Sequence, residues 1–339
     1  MAFDANSTTA VRLGCVGRAI PGKACILFYA IDPELAEFAE AVSGMTGSVA
    51  SMRNSSAMSA HFTRPPDLDG VTVEDRVVPS VGDSPEVPLR LYLPHQRRTT
   101  ALIYDIHGGG FVSGDLALNH PANVCLARDL GVAVMSVNYR LAPETPFPGP
   151  LHDVYGGLRW AAEHATELGI SREHVIVHGS SAGAGLAAAL THLARDRGGP
   201  HIAFQLLLTP ELDDRLHTPS MQTCIDTPIW NRSTAIMSWE AYLGSAIRGT
   251  DAVSPYAAPA RATDFSGLPP AYISVAEFDP LRDEAIAYAH ALLHAGVGCE
   301  LHLFPGTFHG STAVKTAAIT QRAHHELFDV MRTVIARMR

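Results

Sequence analysis

The chain has 339 residues, 47% of them hydrophobic, and a formal net charge of −9 with 25 lysines and arginines. The basic residues form no block, which argues against nucleic acid and against an anionic membrane surface as partner. This length suits one large α/β domain with a lid or two domains, and a small molecule is the expected ligand.

The first 60 residues are poor in strand signals. They contain one predicted helix, residues 33–42, which begins at the N-cap Asp32 with proline at its first position. Residues 43–59 are small and polar, and we expect them to be flexible. This part of the chain therefore predicts an appendage of the fold rather than part of a sheet.

The pattern changes at residue 71, where strand signals begin. Two alternating segments, residues 71–78 and 87–93, are separated by the turn residues Gly82, Asp83 and Ser84. They predict an antiparallel hairpin at the edge of a sheet.

Apolar runs then alternate with helical patterns. The predicted elements are strand 101–106, a helix from about Pro121, strand 132–137, helix 153–164, strand 174–177, a helix from Gly183, strands 203–208 and 271–276, a helix from Asp283, strand 299–304 and a last helix to Arg337. Near-continuous apolar strands interleaved with helices predict a mostly parallel central sheet covered by helices on both faces.

The alternation is interrupted for about sixty residues after Leu208. An insertion at the carboxyl end of a strand is where a lid lies over a site. The predicted organisation is an N-terminal cap segment (1–60), a first part of the catalytic domain (61–208), a cap insertion (209–255) and a second part of the catalytic domain (256–339).

A serine lies at the sharp turn between the run Val175-Ile176-Val177 and a helix-forming run. The turn reads His178-Gly179-Ser180-Ser181-Ala182-Gly183, with Ser181 at the centre of a Gly-x-Ser-x-Gly sequence. Between a strand and a helix this sequence predicts a nucleophile elbow, in which the serine hydroxyl is exposed above the sheet.

A dinucleotide-binding fingerprint is the competing interpretation of the same glycines, since residues 183–188 fit G-x-G-x-x-A. It fits less well, because Gly183 lies five residues past the strand and position 203, where an acid is expected, is Ala. Close packing of the helix on the sheet also explains the small residues.

A serine nucleophile needs an oxyanion hole, a base and an orienting acid. The triplet Gly108-Gly109-Gly110 follows the strand 101–106 and offers exposed backbone N–H groups. In the chain order expected for this arrangement, Asp279 follows strand 271–276 and His309 follows strand 299–304. Glu277 and Asp283 are rival acids; Asp279 could instead cap a helix, and His309 could be an ordinary loop histidine.

With these segments the chain resembles the hormone-sensitive-lipase-like (bacterial family IV) carboxylesterases of the α/β-hydrolase fold, over most of residues 65–335. The matching motifs are His107-Gly108-Gly109-Gly110-Phe111, Tyr139-Arg140-Leu141-Ala142-Pro143-Glu144 with Pro148 and Asp153, Gly179 to Gly183, Leu268-Pro269-Pro270, Asp279 to Glu284, and His309-Gly310. The family usually carries Asp before the nucleophile, where this chain has Ser180, so the subfamily and detailed substrate stay open.

The resemblance implies ester hydrolysis by the triad Ser181, Asp279 and His309. It implies an oxyanion hole from the N–H groups of Gly109, Gly110 and Ala182, with Gly108 as a further donor, and a cap built from the N-terminal segment and the insertion. Arg140, Glu144 and Asp153 are expected to form a structural ion-pair network. Four aromatic residues are candidates for the substrate pocket, with burial in the core as the alternative: Phe111, Trp230, Trp239 and Tyr242.

The expected function is a serine carboxylesterase acting on short- to medium-chain esters through an acyl-enzyme, with no metal or organic cofactor. An acyltransferase or a lactone hydrolase could use the same triad. A noncatalytic ligand receptor on this scaffold is the third alternative, disfavoured because all three triad members are kept. A homodimer paired through the edge of the last strand is also open.

Cysteine and histidine patterns indicate no metal or disulfide framework. The five cysteines are scattered without a C-x-x-C pair, and none of the 17 histidines has metal-ligand spacing. The apolar run at residues 25–31 is too short to span a membrane and lacks the features of a secretory signal. We therefore expect a soluble protein in the cytoplasm.

Overall fold

We describe the protein from a computed structural model that covers residues 30–44, 47–54, 67–79 and 85–338. Eight strands form one sheet in the order β1-β2-β4-β3-β5-β6-β7-β8. They are β1 (Val71–Val78), β2 (Val87–Pro94), β3 (Leu102–Ile106), β4 (Ala133–Val137), β5 (Val175–Ser180), β6 (Phe204–Leu208), β7 (Ala271–Phe278) and β8 (Cys299–Phe308).

The sheet is parallel from β4 to β8, and β2 is antiparallel to both of its neighbours. Every residue of β3 and β4 is buried. Strands covered on both faces need apolar side chains on both, which explains their near-continuous apolar sequences. The predicted edge hairpin and the mostly parallel sheet are confirmed.

Ten helices are described besides three short 3-10 segments (Pro33–Leu35, Pro259–Arg261 and Ser311–Ala313). They are α1 (Ala36–Ala41), α2 (49–54), α3 (His120–Leu130), α4 (Gly149–Glu163), α5 (Ala165–Leu168), α6 (Ala182–Asp196), α7 (Pro219–Thr223), α8 (Arg232–Leu243), α9 (Arg282–His294) and α10 (Ala318–Arg337). Helices α4, α6, α8 and α9 pack into the core on one face of the sheet, and α3 and α10 into the core on the other.

The largest departures from the predicted elements lie in the N-terminal segment and at helix starts. Residues 49–54 are helical, so the expected flexibility of residues 43–59 is wrong there. Helix α4 begins at Gly149, before the predicted residue 153, because Pro150 suits the first turn of a helix. The predicted turn Gly82–Ser84 and most of residues 1–60 lie outside the described residues.

The N-cap prediction for Asp32 is confirmed, since its carboxylate accepts a hydrogen bond from the N–H of Glu34 at 2.9 Å. The cap begins a 3-10 turn that runs directly into α1 rather than a continuous α-helix. Among the helices described, none is both long and apolar enough to cross a bilayer.

Candidate active site

Ser181 lies at the junction of β5 and α6 with φ 57° and ψ −125°, a backbone conformation that a residue with a side chain rarely adopts. A Cβ added to Gly179 would lie 2.4 Å from the carbonyl oxygen of Gly183, and one added to Gly183 would lie 2.1 Å from that of Ile106. Both flanking positions therefore require glycine, and the predicted elbow is the structure of this turn.

Backbone hydrogen bonds hold the elbow against the next strand. The N–H of Ser181 donates to the carbonyl of Leu208 at 2.9 Å. Its carbonyl accepts from the N–H groups of Gly185 at 3.0 Å and of Glu211 at 3.2 Å. The position of the serine is thus set by β6 and the start of the insertion as well as by its own turn.

His309 and Asp279 lie side by side at the carboxyl ends of neighbouring strands. Nδ1 of His309 is 2.7 Å from Oδ2 of Asp279, and the other carboxylate oxygen accepts a hydrogen bond from the N–H of Leu281 at 2.9 Å. Asp279 is 1% exposed. With both oxygens engaged, this carboxylate is held in one orientation toward the imidazole.

Both rival acids are engaged elsewhere. Glu277 accepts a hydrogen bond from the N–H of Gly306 at 2.7 Å. The helix predicted from Asp283 begins one residue earlier, at Arg282, so Asp283 lies in the first turn of α9 rather than at its N-cap. The carboxylate of Asp283 instead accepts from the N–H of Ser220 at 2.7 Å, in the first turn of α7. It therefore ties α7 to α9, which only the tertiary contact reveals.

The glycine triplet passes directly beside the elbow. A Cβ on Gly108 would lie 2.8 Å from the carbonyl oxygen of Ser180 and 3.5 Å from Cβ of Ser181. Gly109 and Gly110 have φ of 116° and 58°, which glycine adopts without strain. Ala182 is the first residue of α6, so its N–H is one of those left free at a helix N-terminus. The residues expected to supply oxyanion donors are thus brought together at Ser181.

The side chains of Tyr139 and Arg53 hold the loop that carries the glycine triplet. The buried ring of His107 stacks on Tyr139 with centroids 4.2 Å apart, and the Tyr139 hydroxyl donates to the His107 carbonyl at 2.8 Å. Burial lowers the pKa of His107, which keeps its ring uncharged. Arg53, on α2, donates to the carbonyls of Val112 at 2.8 Å and Ala142 at 3.1 Å. No sequence pattern points to Arg53, because a single arginine in a polar segment belongs to no period or motif.

The expected ion-pair network divides into two pairs. Arg140 binds the buried carboxylate of Asp153 through Nε at 2.8 Å and Nη2 at 2.7 Å. Glu144 pairs with Arg53 at the surface instead, with the shortest contact 2.6 Å. The expectation of one network was wrong for Glu144, because its partner comes from the distant α2.

The four candidate pocket residues lie in one aromatic wall. Phe111 stacks on Tyr242 with centroids 4.1 Å apart and lies 5.4 Å from Trp239, and all three are at most 1% exposed. The Trp230 ring lies 5.5 Å from that of His309 and would be 2.7 Å from a Cβ on Gly110. Trp230 therefore adjoins both the imidazole and the glycine loop, and Phe111, which directly follows that loop, contacts Trp239 and Tyr242.

Two buried glutamates lie beside the site without having been predicted for it: Glu284 ends the Asp279 to Glu284 motif, and no motif contains Glu211. Glu284 accepts hydrogen bonds from the N–H groups of Leu212 at 2.6 Å and Asp213 at 3.2 Å, and burial raises its pKa well above the usual range. Burial likewise raises the pKa of Glu211 to about 8, and the nearby charge of Asp279 adds to this. With a pKa of about 8, the Glu211 side chain is uncharged at neutral pH.

Metal coordination finds no support in the part of the chain that is described. No three His, Cys, Asp or Glu side chains there are grouped so that they could hold a metal ion. The three described cysteines, Cys125, Cys224 and Cys299, are unpaired thiols, while Cys15 and Cys25 lie outside the described residues.

Proteins similar to this chain include several ester hydrolases. The sequence model of the α/β-hydrolase fold matches residues 103–313. The carboxylesterase NlhH of Mycobacterium tuberculosis is 39% identical over 255 residues, which cover 73% of this chain and 78% of that protein. The ethyl acetate hydrolase of Pseudomonas putida is 35% identical over 232 residues, covering 67% and 72%. The structure of a bacterial heroin esterase superposes with a TM-score of 0.86 at 46% identity, covering 90% of this chain and 98% of that one. The chain belongs to the hormone-sensitive-lipase-like family of α/β-hydrolases and is a carboxylic ester hydrolase.

Proposed function

We propose that Ser181, His309 and Asp279 are the nucleophile, base and orienting acid of this esterase. The observation that carries the proposal is the 2.7 Å contact between Nδ1 of His309 and Oδ2 of Asp279. A proton on Nδ1 that points at the carboxylate leaves Nε2 free to accept the proton of a serine hydroxyl. We assign Ser181, in its strained elbow directly after β5, as the serine whose proton that nitrogen accepts.

Acylation begins when His309 takes the proton of Ser181 and Oγ attacks the ester carbonyl. The N–H groups of Gly109, Gly110 and Ala182, with Gly108 as a further donor, stabilise the tetrahedral oxyanion. They need no reorganisation, because the glycine loop is already folded by the hydrogen bonds from Val112 and Ser113 to the Gly109 carbonyl at 3.1 and 3.0 Å. His309 then returns the proton to the departing alcohol.

Deacylation repeats these steps with water as the nucleophile. His309 takes a proton from water, the oxyanion forms again in the same hole, and Ser181 is released with its proton restored. Asp279 stabilises the imidazolium during both steps. Its burial excludes water, so the stabilisation is stronger than at an exposed site.

The substrates that fit this site best are short- to medium-chain esters of small molecules. Two observations support this: the aromatic wall lies directly behind the glycine loop, and one relative is named for ethyl acetate. Transfer of the acyl group to an alcohol and opening of a lactone are the alternative reactions of the same acyl-enzyme, and a product ester formed with an added alcohol would identify transfer.

A fluorophosphonate probe tests the nucleophile. We expect labelling of the peptide that contains Ser181 and no labelling of Ser181→Ala, whose kcat for p-nitrophenyl butanoate should fall by about 10⁴-fold or more without unfolding. Ser180→Ala is the matched control, because it removes the neighbouring hydroxyl and should keep both labelling and turnover. Label on another serine, or turnover retained in Ser181→Ala, would contradict the assignment. A protein that neither reacts with the probe nor turns over an ester would support the receptor alternative.

The cytoplasmic location and the homodimer stay predictions. The unpaired thiols of Cys125, Cys224 and Cys299 support a reducing compartment. Leu301 and Leu303 of the edge strand β8 are 39% and 42% exposed, which supports pairing through that edge. Sedimentation of the purified chain would decide between monomer and dimer.

A further inference from the structure

Beside the proposed nucleophile, four buried side chains have polar atoms without a hydrogen-bond partner among the described residues. They are Glu211, with both carboxyl oxygens, Trp230 and Trp239, each with Nε1, and Tyr242, with its hydroxyl. Each of these residues is at most 3% exposed. Leaving so many polar atoms unsatisfied in one place is costly, so the cluster is suited to bind a polar group that enters with a ligand.

Trp230, Trp239 and Tyr242 belong to the aromatic wall, and Glu211 interacts electrostatically with Tyr242. The Trp230 ring lies 5.5 Å from His309, and the Trp239 and Tyr242 rings lie 6.1 Å apart. The backbone N–H of Glu211 donates to the carbonyl of Ser181, and the Ser238 hydroxyl beside its carboxyl donates to the Gly110 carbonyl at 3.0 Å. The unpartnered atoms thus belong to residues packed against the triad and the glycine loop.

Glu211 differs from the other fully or nearly fully buried acids of the described chain, which have a cationic, histidine or N–H partner. Those acids and their partners are Asp105 with His178, Asp153 with Arg140, Asp213 with Arg215, Asp214 with Arg261, Asp279 with His309, and Glu284 with the N–H groups of residues 212 and 213. Glu211 has no cation and is uncharged at neutral pH, because burial raises its pKa to about 8. It can therefore both donate and accept a hydrogen bond.

The donors and acceptors of the wall match one chemical group best. An indole N–H only donates, whereas a phenol and a neutral carboxyl do both. An alkyl chain would satisfy none of them. A protonated amine brings donors alone and would leave Trp230 and Trp239 unpaired. A hydroxyl oxygen accepts from an indole and donates to Glu211.

We propose that Glu211, Tyr242 and the two tryptophans bind a hydroxyl group that the ester carries a few bonds from its reactive carbonyl. Hydroxylated esters are then the preferred substrates over alkyl esters of the same shape. This inference rests on the proposed function of the same site and names its substrate class. A site built around such a hydrogen bond discriminates strongly against substrates that lack the group, because its own polar atoms are then left unpaired.

Matched substrates test the preference on both sides of the ester. In the acyl portion, p-nitrophenyl 3-hydroxybutanoate is compared with the 3-methylbutanoate and the 3-aminobutanoate. In the alcohol portion, 3-hydroxybutyl acetate is compared with 3-methylbutyl and 3-aminobutyl acetate, with acetate release followed by titration. We expect kcat/KM of the hydroxyl compound to exceed that of both analogues by about tenfold or more in at least one series.

Variants identify the residues responsible. In Glu211→Met and in Tyr242→Phe the ratio of hydroxyl to methyl substrate should fall by about tenfold toward unity. Glu240→Gln is the matched control. Glu240 lies on α8 with Tyr242, but its side chain is 39% exposed, so the substitution should leave the ratio unchanged. Tyr242→Phe keeps the aromatic ring, so it still tests the proposal if Glu211→Met does not fold.

Three outcomes overturn the proposal: equal rates for the hydroxyl and methyl substrates in both series, a preference for the amino compounds, or an unchanged ratio in both variants. Hydrolysis of the methyl compounds keeps the proposed function intact in each of these cases. Failure of the wild-type protein to hydrolyse any compound of either series would instead contradict the proposed function.

Discussion

Oδ2 of Asp279 and Nδ1 of His309 meet at 2.7 Å because both residues directly follow strands that are paired in register. β7 and β8 pair from Ala271 with Cys299 to Ala276 with Phe304, and a bulge then shifts the register so that Phe278 pairs with Phe308. Asp279 directly follows Phe278, and His309 directly follows Phe308. The contact is therefore set by the sheet, which is rigid, and needs no ordering of a long loop.

The choice of acid can be tested by two conservative variants. Asp279→Asn should lower kcat by about 10⁴-fold and keep the fold, because an amide no longer favours the tautomer of His309 that accepts the serine proton. Asp283→Asn should cost at most about 1 kcal/mol of stability and keep most turnover, since an Asn side-chain oxygen can still accept from Ser220. Steady-state kinetics and urea unfolding measure the two effects. An inactive Asp283→Asn beside an active Asp279→Asn would show that the acid is misassigned.

Acyl-chain preference tests whether the cap encloses the site. Over p-nitrophenyl esters from acetate upward, kcat/KM should be highest for short and medium chains, because an enclosed pocket limits the chain that fits. The enzyme should act on dissolved ester. A sharp rise in rate above the critical micelle concentration of a long-chain triglyceride would indicate a lipase instead.

Glu211 should make stability depend on pH. Burial raises its pKa from 4.5 to about 8 in the folded protein. As the pH rises through this window the unfolded chain loses a proton that the folded chain keeps, so the free energy of unfolding falls. The amide in Glu211→Gln does not titrate. The free energy of unfolding of this variant relative to the wild type should therefore rise by on the order of 4 kcal/mol between pH 4.5 and 8.

Urea unfolding at several pH values between 4.5 and 8 measures this difference, with Glu240→Gln as the control that should follow the wild type. A constant difference between Glu211→Gln and the wild type across the window would contradict the buried, uncharged state of Glu211.

The buried pair Asp214 and Arg261 should hold the insertion to the rest of the domain. Nε of Arg261 lies 2.6 Å from Oδ1 of Asp214, with side chains 11% and 0% exposed. Arg261→Met would leave a buried carboxylate unpaired and should cost about 3 kcal/mol or more. In the exposed pair Arg159 and Glu163, with side chains 50% and 58% exposed, Arg159→Met should cost at most about 0.5 kcal/mol. Chemical denaturation of both variants compares them, and equal losses would refute the argument.

The sequence by itself determined the architecture and the turns that carry the candidate catalytic residues. Alternating apolar and helical periods predicted the sheet, because a strand buried on both faces must be apolar throughout. The glycines around Ser181 were informative for a local reason: a residue at φ 57° between two backbone contacts leaves no space for side chains at positions 179 and 183. Chain order then pointed to Asp279 and His309, which directly follow β7 and β8 in the structure.

Only the tertiary structure decided which side chains meet across distant segments. Arg53 reaches the glycine loop and Glu144 from α2, Asp283 binds α7 as well as Arg282 of its own helix, and Glu211 is packed behind Ser181 with its carboxyl oxygens unpaired. Local patterns report backbone geometry and the burial of a periodic face. A single polar residue has no period, so its partner and its charge depend on how distant segments pack around it.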